Sequence, residues 1–240
     1  MNVLTWNIQA CIGTSRYRDY LLHAHRQIIH TSAKTATLRE IAREIAPYDV
    51  VCLQEVDLGG RRAGFTSQVD AIAMQSGHAH TAVQHNRTVP GVSRHGNAIL
   101  SRWPLTRVRD MKLPGRMAGR GALFADVAGP VPLRVACLHL SLGEVDQLAQ
   151  LRAVADELRE ARAWLAMGDF NCVAGAAPIE AFRAISGGKL PFPAPDTYPS
   201  WRPRRDFDHI VSGGMVSLTD YRAGAATSSD HLAVSARVTG

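Results

Sequence analysis

Ala163-Trp164-Leu165-Ala166-Met167-Gly168-Asp169-Phe170-Asn171 is an apolar run that stops at a glycine and then offers a carboxylate and an amide two positions apart. A short apolar stretch of this kind reads as a buried strand. Polar side chains just past such a strand stand where α/β sheets present their chemistry. Three further places repeat the arrangement: Thr5-Trp6-Asn7 after Val3-Leu4, Gln54-Glu55 after Val50-Val51-Cys52-Leu53, and Ser229-Asp230-His231 before Leu232-Ala233-Val234. Together they predict one assembled site at the ends of several strands.

Working outward, the first strand covers Val3 to Ile8, and a long polar segment follows it, of which the part around Tyr20 to Ile29 is read as helical. Leu38, Ile41, Ala42 and Ile45 share one face of a helix from about Ala36 to Ala46, which Pro47 stops. Val50 to Gln54 is a buried strand, and a second helix covers about Ser67 to Ser76. Strand-like runs at His80 to Gln84, Asn97 to Ser101, Arg107 to Lys112, Gly121 to Val127 and Leu133 to His139 read as an antiparallel meander. A long helix spans about Val145 to Arg162, a short one about Ile179 to Ile185, and strands follow at Phe207 to Val211, Met215 to Tyr221 and Leu232 to Val238. Strands and helices in both halves predict an α/β protein of two sheets packed face to face with helices outside, rather than one doubly wound sheet.

With 240 residues, 46% of them hydrophobic, the chain is long enough for a full core, and residues 1–240 are expected to form one domain. The net charge of +6 favours an anionic partner: nucleic acid, a phosphorylated metabolite or an acidic lipid surface. The four cysteines, Cys11, Cys52, Cys137 and Cys172, show no metal-type spacing and are expected to be reduced. The chain opens directly on a strand, with no leader-like segment and no apolar stretch long enough to span a membrane, so a cytoplasmic location is expected. His23, His25, His30, His78, His80 and His85 lack ligand spacing and are assigned to the surface.

Magnesium-type cations take oxygen ligands and keep several waters, so one or two carboxylates and an amide carbonyl suffice to hold one against a phosphate. Glu55 and Asn7 suit that task, although a solvated strand-end charge and a turn-forming amide are the plainer readings. Asp169 can orient or deprotonate a water and Asn171 can bind a phosphoryl oxygen, while Asp-x-Asn also builds Asx turns. Asp230 offers a metal or water ligand beside the His231 imidazole, for which Asp208 is the best carboxylate partner; His209 alternates to the opposite face. His139 stands at a strand terminus, and Asn97 and Arg120 complete the set as expected substrate contacts, the guanidinium between two glycines suiting a phosphate.

Trp6-Asn7, Leu53-Gln54-Glu55, Gly96-Asn97 through Trp103-Pro104, Arg120-Gly121-Ala122-Leu123, His139-Leu140, Gly168-Asp169-Phe170-Asn171, Asp206-Phe207-Asp208-His209-Ile210 and Ser229-Asp230-His231 closely resemble, in order, the motifs of the endonuclease/exonuclease/phosphatase superfamily. The resemblance implies a four-layer sandwich of two packed mixed β-sheets flanked by helices, and Mg2+- or Mn2+-dependent phosphoester hydrolysis by an activated water. It implies that Asn7 and Glu55 hold the metal with help from Asp230, that Asp169 positions the water, and that Asn171 binds phosphate or metal. His139 and Arg120 would stabilise phosphoryl oxygens, and Asp208 would orient His231.

Glu55-Val56-Asp57 and Gly168-Asp169 depart from the Glu-Thr-Lys and Asn-Asp-x-Asn forms of abasic-site endonucleases, and Gly96 to Pro104 with Arg120-Gly121-Ala122-Leu123 look more like the bacterial phosphodiesterase and sphingomyelinase-like branch. Arg61-Arg62, the loop Asn86 to His95, Tyr198, Trp201, Arg202, Arg204 and Arg205 are candidate specificity elements, Trp201 being counted with the substrate contacts. The positive charge keeps a DNA-processing nuclease as an alternative, and a non-catalytic binding protein with the same fold is a second.

Overall fold

The apolar runs become strands that sort into two sheets. In a computed structural model, which describes residues 1–225 and 228–240, the strands are β1 (Asn2–Asn7), β2 (Val50–Asp57), β3 (His80–Val89), β4 (Ser93–Ser101), β5 (Leu105–Lys112), β6 (Gly121–Val127), β7 (Leu133–His139), β8 (Ala163–Asp169), β9 (Asp208–Gly214), β10 (Ser217–Ala223) and β11 (Val234–Thr239). The helices are α1 (Asp19–Leu22), α2 (Ser32–Ile45), α3 (Gln68–Ser76), α4 (Glu144–Leu158) and α5 (Ala177–Ser186). One sheet has the order β10-β11-β1-β2-β4-β3 and the other β5-β6-β7-β8-β9. Each contains one parallel pair, β1 with β2 and β7 with β8, among antiparallel neighbours.

Three apolar layers hold four layers of backbone together. Val3, Val50, Cys52 and Ile99 of the first sheet meet Leu123, Val135, Cys137, Leu165, Met167 and Ile210 of the second in the middle layer. On the outer face of the first sheet, Ile41 and Ile45 of α2 and Val69 and Ile72 of α3 pack on Leu4, Trp6, Val51, Leu53 and Leu100. Outside the second sheet, Leu151, Val154 and Leu158 of α4 and Ile179 and Phe182 of α5 pack on Phe124, Leu138, Trp164 and Ala166. The expected four-layer α/β sandwich of two mixed sheets flanked by helices is what forms.

The run expected to be one meander is divided between the sheets. β3 and β4 close the edge of the first, whereas β5, β6 and β7 begin the second. The change of sheet falls at Arg102-Trp103-Pro104, where proline cannot extend the ladder and the Trp103 ring packs against the middle layer. α2 starts at Ser32 rather than Ala36 because the Thr31 hydroxyl accepts the Lys34 N–H as a cap. The helix expected near Tyr20 to Ile29 is a single α turn followed by a 3-10 turn, Ala24–Gln27. All four cysteines are free and buried. His78 is a correction: it is buried, its ring nitrogens bonded to Ser76 Oγ (2.8 Å) and the Tyr48 carbonyl (3.1 Å), so it is a core histidine and not a surface one. Among the described residues, no helix is long and apolar enough to cross a membrane.

Between β7 and β8 there is no room for a side chain at Gly168, where a Cβ would stand 2.0 Å from the Leu138 carbonyl oxygen. No side chain fits there without parting the strands that present His139 and Asp169. Gly168→Ala should therefore cost about 4 kcal/mol or more, the range reached when a packed core is forced open. Urea denaturation followed by circular dichroism measures it, and a loss below about 0.5 kcal/mol, the range of an indifferent surface change, would show that the contact is not a constraint.

Candidate active site

The parallel pairs of both sheets end on the same edge of the sandwich. β1 ends at Asn7, level with Gln54 of β2, and β7 ends at His139, level with Asp169 of β8. β9 begins at Asp208, opposite Asp169, and β6 begins at Gly121, opposite His139, which puts Arg120 at the same edge. Glu55 reaches the cleft because β2 slips register against β4 between Leu53 and Val56, with Glu55 itself at φ 57°. A bulge of this kind re-aims a side chain that the regular pleat would direct elsewhere.

These elements enclose a cleft of about 330 Å³ lined by Asn7, Glu55, Arg120, His139, Asp169, Asn171, Asp230 and His231, with Leu142, Tyr198 and Phe207 at its walls. Asp169 is its centre. One carboxylate oxygen, Oδ2, accepts Asn7 Nδ2 at 3.0 Å across the two sheets and lies 3.6 Å from His139 Nε2 and 3.9 Å from His231 Nε2. The other, Oδ1, accepts the Asn171 N–H at 2.9 Å, while Asn171 Nδ2 donates to the Leu140 carbonyl at 3.0 Å. The Asx turn and the cleft-lining position thus coexist in the same two residues. Asn171 adopts φ 52°, a region that asparagine tolerates.

The two imidazoles are held in opposite states. Burial and the adjacent Arg120 guanidinium push His139 well below the ordinary histidine range. Arg120 Nη1 donates to His139 Nε2, which leaves that ring neutral. Burial pulls His231 the same way, but the Asp208 and Asp169 carboxylates outweigh it and raise His231 well above the ordinary range. Asp208 Oδ2 accepts His231 Nδ1 at 2.8 Å and the Thr197 hydroxyl at 2.6 Å. His231 therefore presents Nε2–H toward Asp169.

The carboxylates lack comparable compensation. Burial first, then the neighbouring Asp230, raises Glu55, which among the described residues makes one long hydrogen bond, to Asn7 Nδ2 at 3.4 Å. Burial and Asp208 push Asp169 up against the opposing charge of His231. An oxygen-rich, charge-crowded set of this kind fits a hard divalent cation. Asn7 now turns its Nδ2 donor side to both carboxylates, so a cation between them calls for its oxygen side instead. Asp169, Asp208 and His231 also bring ligand atoms within 4.8 Å of one another. That trio is a poor metal site, because His231 Nδ1 already bonds Asp208 and an imidazolium has no free lone pair.

Of three further expected site residues, one lines the cleft with its carboxylate engaged by protein donors and two lie outside the lining. Asp230 lines the cleft, where Oδ1 takes the Ser229 hydroxyl (3.2 Å) and Oδ2 takes Gln9 Nε2 (3.0 Å) and the Tyr20 hydroxyl (2.8 Å), three donors on a carboxylate that has about four acceptor sites. Asn97, expected to touch substrate, is fully buried beneath the cleft and donates to Gln84 Oε1 (3.0 Å) and the Gly121 carbonyl (3.2 Å). It lies on β4 and braces β6, and through Gly121 the adjacent Arg120, from below. Trp201 packs edge-on against Tyr17 and Tyr20, ring centroids 5.1 and 6.2 Å away, outside the cleft lining. His209, left out of the site, is indeed turned away, with Nε2 on the Cys172 carbonyl at 3.0 Å. Gln9, Tyr20 and Thr197 also hold site carboxylates, and nothing in the local sequence of Tyr20 and Thr197 marks them, since neither follows an apolar run.

A sequence profile of the Endonuclease/Exonuclease/phosphatase family matches residues 4–231. The chain is 33% identical over 150 residues to the uncharacterized protein YbhP of Escherichia coli (strain K12), a match that covers 56% of this chain and 57% of that protein. Among solved structures, the endonuclease/exonuclease/phosphatase from Beutenbergia cavernae DSM 12333 superposes with a TM-score of 0.75 at 21% identity, covering 99% of this chain and 71% of that one. The mannosyl-6-phosphatase Bt3783 of Bacteroides thetaiotaomicron VPI-5482 has a TM-score of 0.74 at 13% identity, with both chains fully covered. D. rerio TDP2 in complex with a single-strand DNA product has a TM-score of 0.73 at 15% identity, covering 100% and 99% of the two chains. From the profile match and the shared four-layer fold, the chain belongs to the endonuclease/exonuclease/phosphatase family, whose members are hydrolases acting on phosphoester bonds.

Proposed function

We propose that this chain is a divalent-metal-dependent hydrolase that cleaves phosphodiester bonds by in-line attack of a water held at Asp169. The observation that carries the reading is the position of the Asp169 carboxylate, 2% exposed, between an amide donor and two imidazoles in opposite states. A proton acceptor and a proton donor on one reacting centre are what phosphoryl transfer to water requires. A divalent cation such as Mg2+ or Mn2+, held by Glu55 and Asn7, would supply positive charge to the phosphoryl oxygens.

The protein's own groups carry the remaining tasks. Asp169 Oδ2 accepts the water proton, and the Asn171 N–H on Oδ1 fixes the plane of the carboxylate. His231, kept protonated and aimed by Asp208, donates Nε2–H to a phosphoryl oxygen. Arg120 stands beside His139 at the cleft wall and complements the charge that develops in the transition state. Preference for a diester is supported by space on both sides of Arg120, since a second cavity of about 190 Å³ adjoins the cleft and shares Glu55, Arg120 and His139 with it.

A DNA-processing role is the second reading, favoured by exposed Tyr17 and half-buried Trp201 beside exposed Arg202, Arg204 and Arg205. Aromatic faces with interleaved basic groups suit single-stranded nucleic acid. Plasmid nicking that weakens steeply with salt would favour it, and salt-insensitive activity confined to small diesters would exclude it.

Hydrolysis of bis-p-nitrophenyl phosphate should require Mg2+ or Mn2+ and stop on addition of EDTA. Asp169→Asn and His231→Ala should each lower kcat/KM by about a hundredfold or more, as loss of a general base or acid does. Metal-independent turnover, or wild-type rates in both variants with the fold intact by circular dichroism, would contradict the assigned roles.

A further inference from the structure

The cavity beyond Arg120 is built for more than room. Its wall includes Asn86, Arg87 and His95 of the β3–β4 hairpin and Gly119 of the loop before β6. We propose that it is a second anion subsite, which receives a phosphate or carboxylate group carried on the arm of the substrate remote from the scissile bond. The proposal rests on the phosphoesterase reading, because that reading sets which end of the cleft holds the reacting phosphorus.

His95 is fixed at the cavity wall by a buried charged pair. Arg62, with a side chain 3% exposed, donates Nε to Asp57 Oδ2 at 2.6 Å and Nη2 to His95 Nδ1 at 3.1 Å. Asp57 Oδ1 is occupied by the N–H groups of Gly59 (3.0 Å) and Gly60 (2.6 Å), so the pair cannot swing. A guanidinium has only donors, so Nδ1 of His95 must accept and Nε2 must carry the hydrogen. Among the described residues, no protein group accepts from that Nε2–H. Burial and then Arg62 push His95 down to about 4, so it stays a neutral single donor over the working range. Asp57 and Arg62 alone would suffice to brace the loop after β2. The tethered imidazole at the cavity wall goes beyond that bracing.

Arg87 adds the charge. β3 slips register against β4 between His85 and Arg87, and the Arg87 stem lies against Gly119, where a Cβ would meet Arg87 Cβ at 3.2 Å. Among the described residues Arg87 has no carboxylate within ion-pair distance, unlike Arg107 and Arg134 in a larger cavity of about 410 Å³ at the far end of the second sheet. There Arg107 and Arg134 are both paired with Asp126, at 2.8 and 2.7 Å. The subsite holds two guanidinium groups, Arg87 and Arg120, an imidazole N–H and an amide, against one carboxylate, Glu55, which faces the metal position. Surplus positive charge beside a tethered imidazole donor selects an anion.

Non-hydrolysable ligands test this directly. Calorimetric titration in Mg2+ would compare methylphosphonate with alkylene diphosphonates of one to four carbons, while bis-p-nitrophenyl phosphate hydrolysis is read on the same preparations. Wild type should bind at least one diphosphonate about tenfold more tightly than methylphosphonate, about 1.4 kcal/mol. Both His95→Ala and Arg87→Ala should lose that preference, and His95→Gln, which retains a donor, should keep part of it. Equal affinity for all ligands in wild type, or a preference that survives His95→Ala, overturns the subsite. A wild type that shows the preference but hydrolyses no diester overturns the phosphoesterase reading instead and leaves the anion site standing.

Discussion

The apolar layer between the two sheets is the constraint on which the rest depends. Cys52, Ile99, Leu123, Val135, Leu165, Met167 and Ile210 have no exposed surface, and each large side chain buried in this way contributes about 1.5–3 kcal/mol. That packing fixes the distance between the sheets, and with it the distance between Asn7 on one and Asp169 on the other. Toward the cleft the layer turns polar: Gln54 bonds Thr5 and Cys137, and Asn97 and Gln84 reach Gly121 and Ala122 of the opposite sheet. Buried polar groups are costly unless paired, so these bonds specify one alignment of the sheets. The residues lining the cleft continue this gradient to the surface.

The same arrangement explains why two histidines near one carboxylate differ in charge. His139 faces a guanidinium, whereas His231 lies between two carboxylates. Neither environment comes from local sequence. Each is set by which strand ends are neighbours: Gly121 with His139, and Asp169 with Asp208. A single edge of the sandwich thereby separates a neutral imidazole from a charged one over one acidic oxygen.

Much of this was legible in the sequence, for physical reasons. Continuous apolar runs such as Ala163 to Met167 can only be buried strands here, and the polar residue that ends each run lands at the sheet edge by geometry. Asn7, His139, Asp169 and Asn171 follow that rule, whereas Glu55 reaches the same cleft through the bulge in β2 and His231 from the segment before β11. Residues acting through long-range contacts do not follow it. Gln9 and Tyr20 reach Asp230 across more than two hundred positions, and Thr197 reaches Asp208 from an irregular loop. Asn97 was misplaced because a strand residue alternates inward or outward, and a shift of one position decides between cleft and interior. The split of the meander was equally hidden, since both sheets use the same antiparallel pattern.

The central claim is that Glu55 and Asn7 make the cleft a divalent-cation site. Calorimetric titration of Mn2+ into the wild type and Glu55→Gln tests it without reference to any substrate. The account predicts saturable binding to the wild type that weakens about tenfold or more, about 1.4 kcal/mol, when the Glu55 charge is removed. Equal Mn2+ affinity in the two proteins would contradict it.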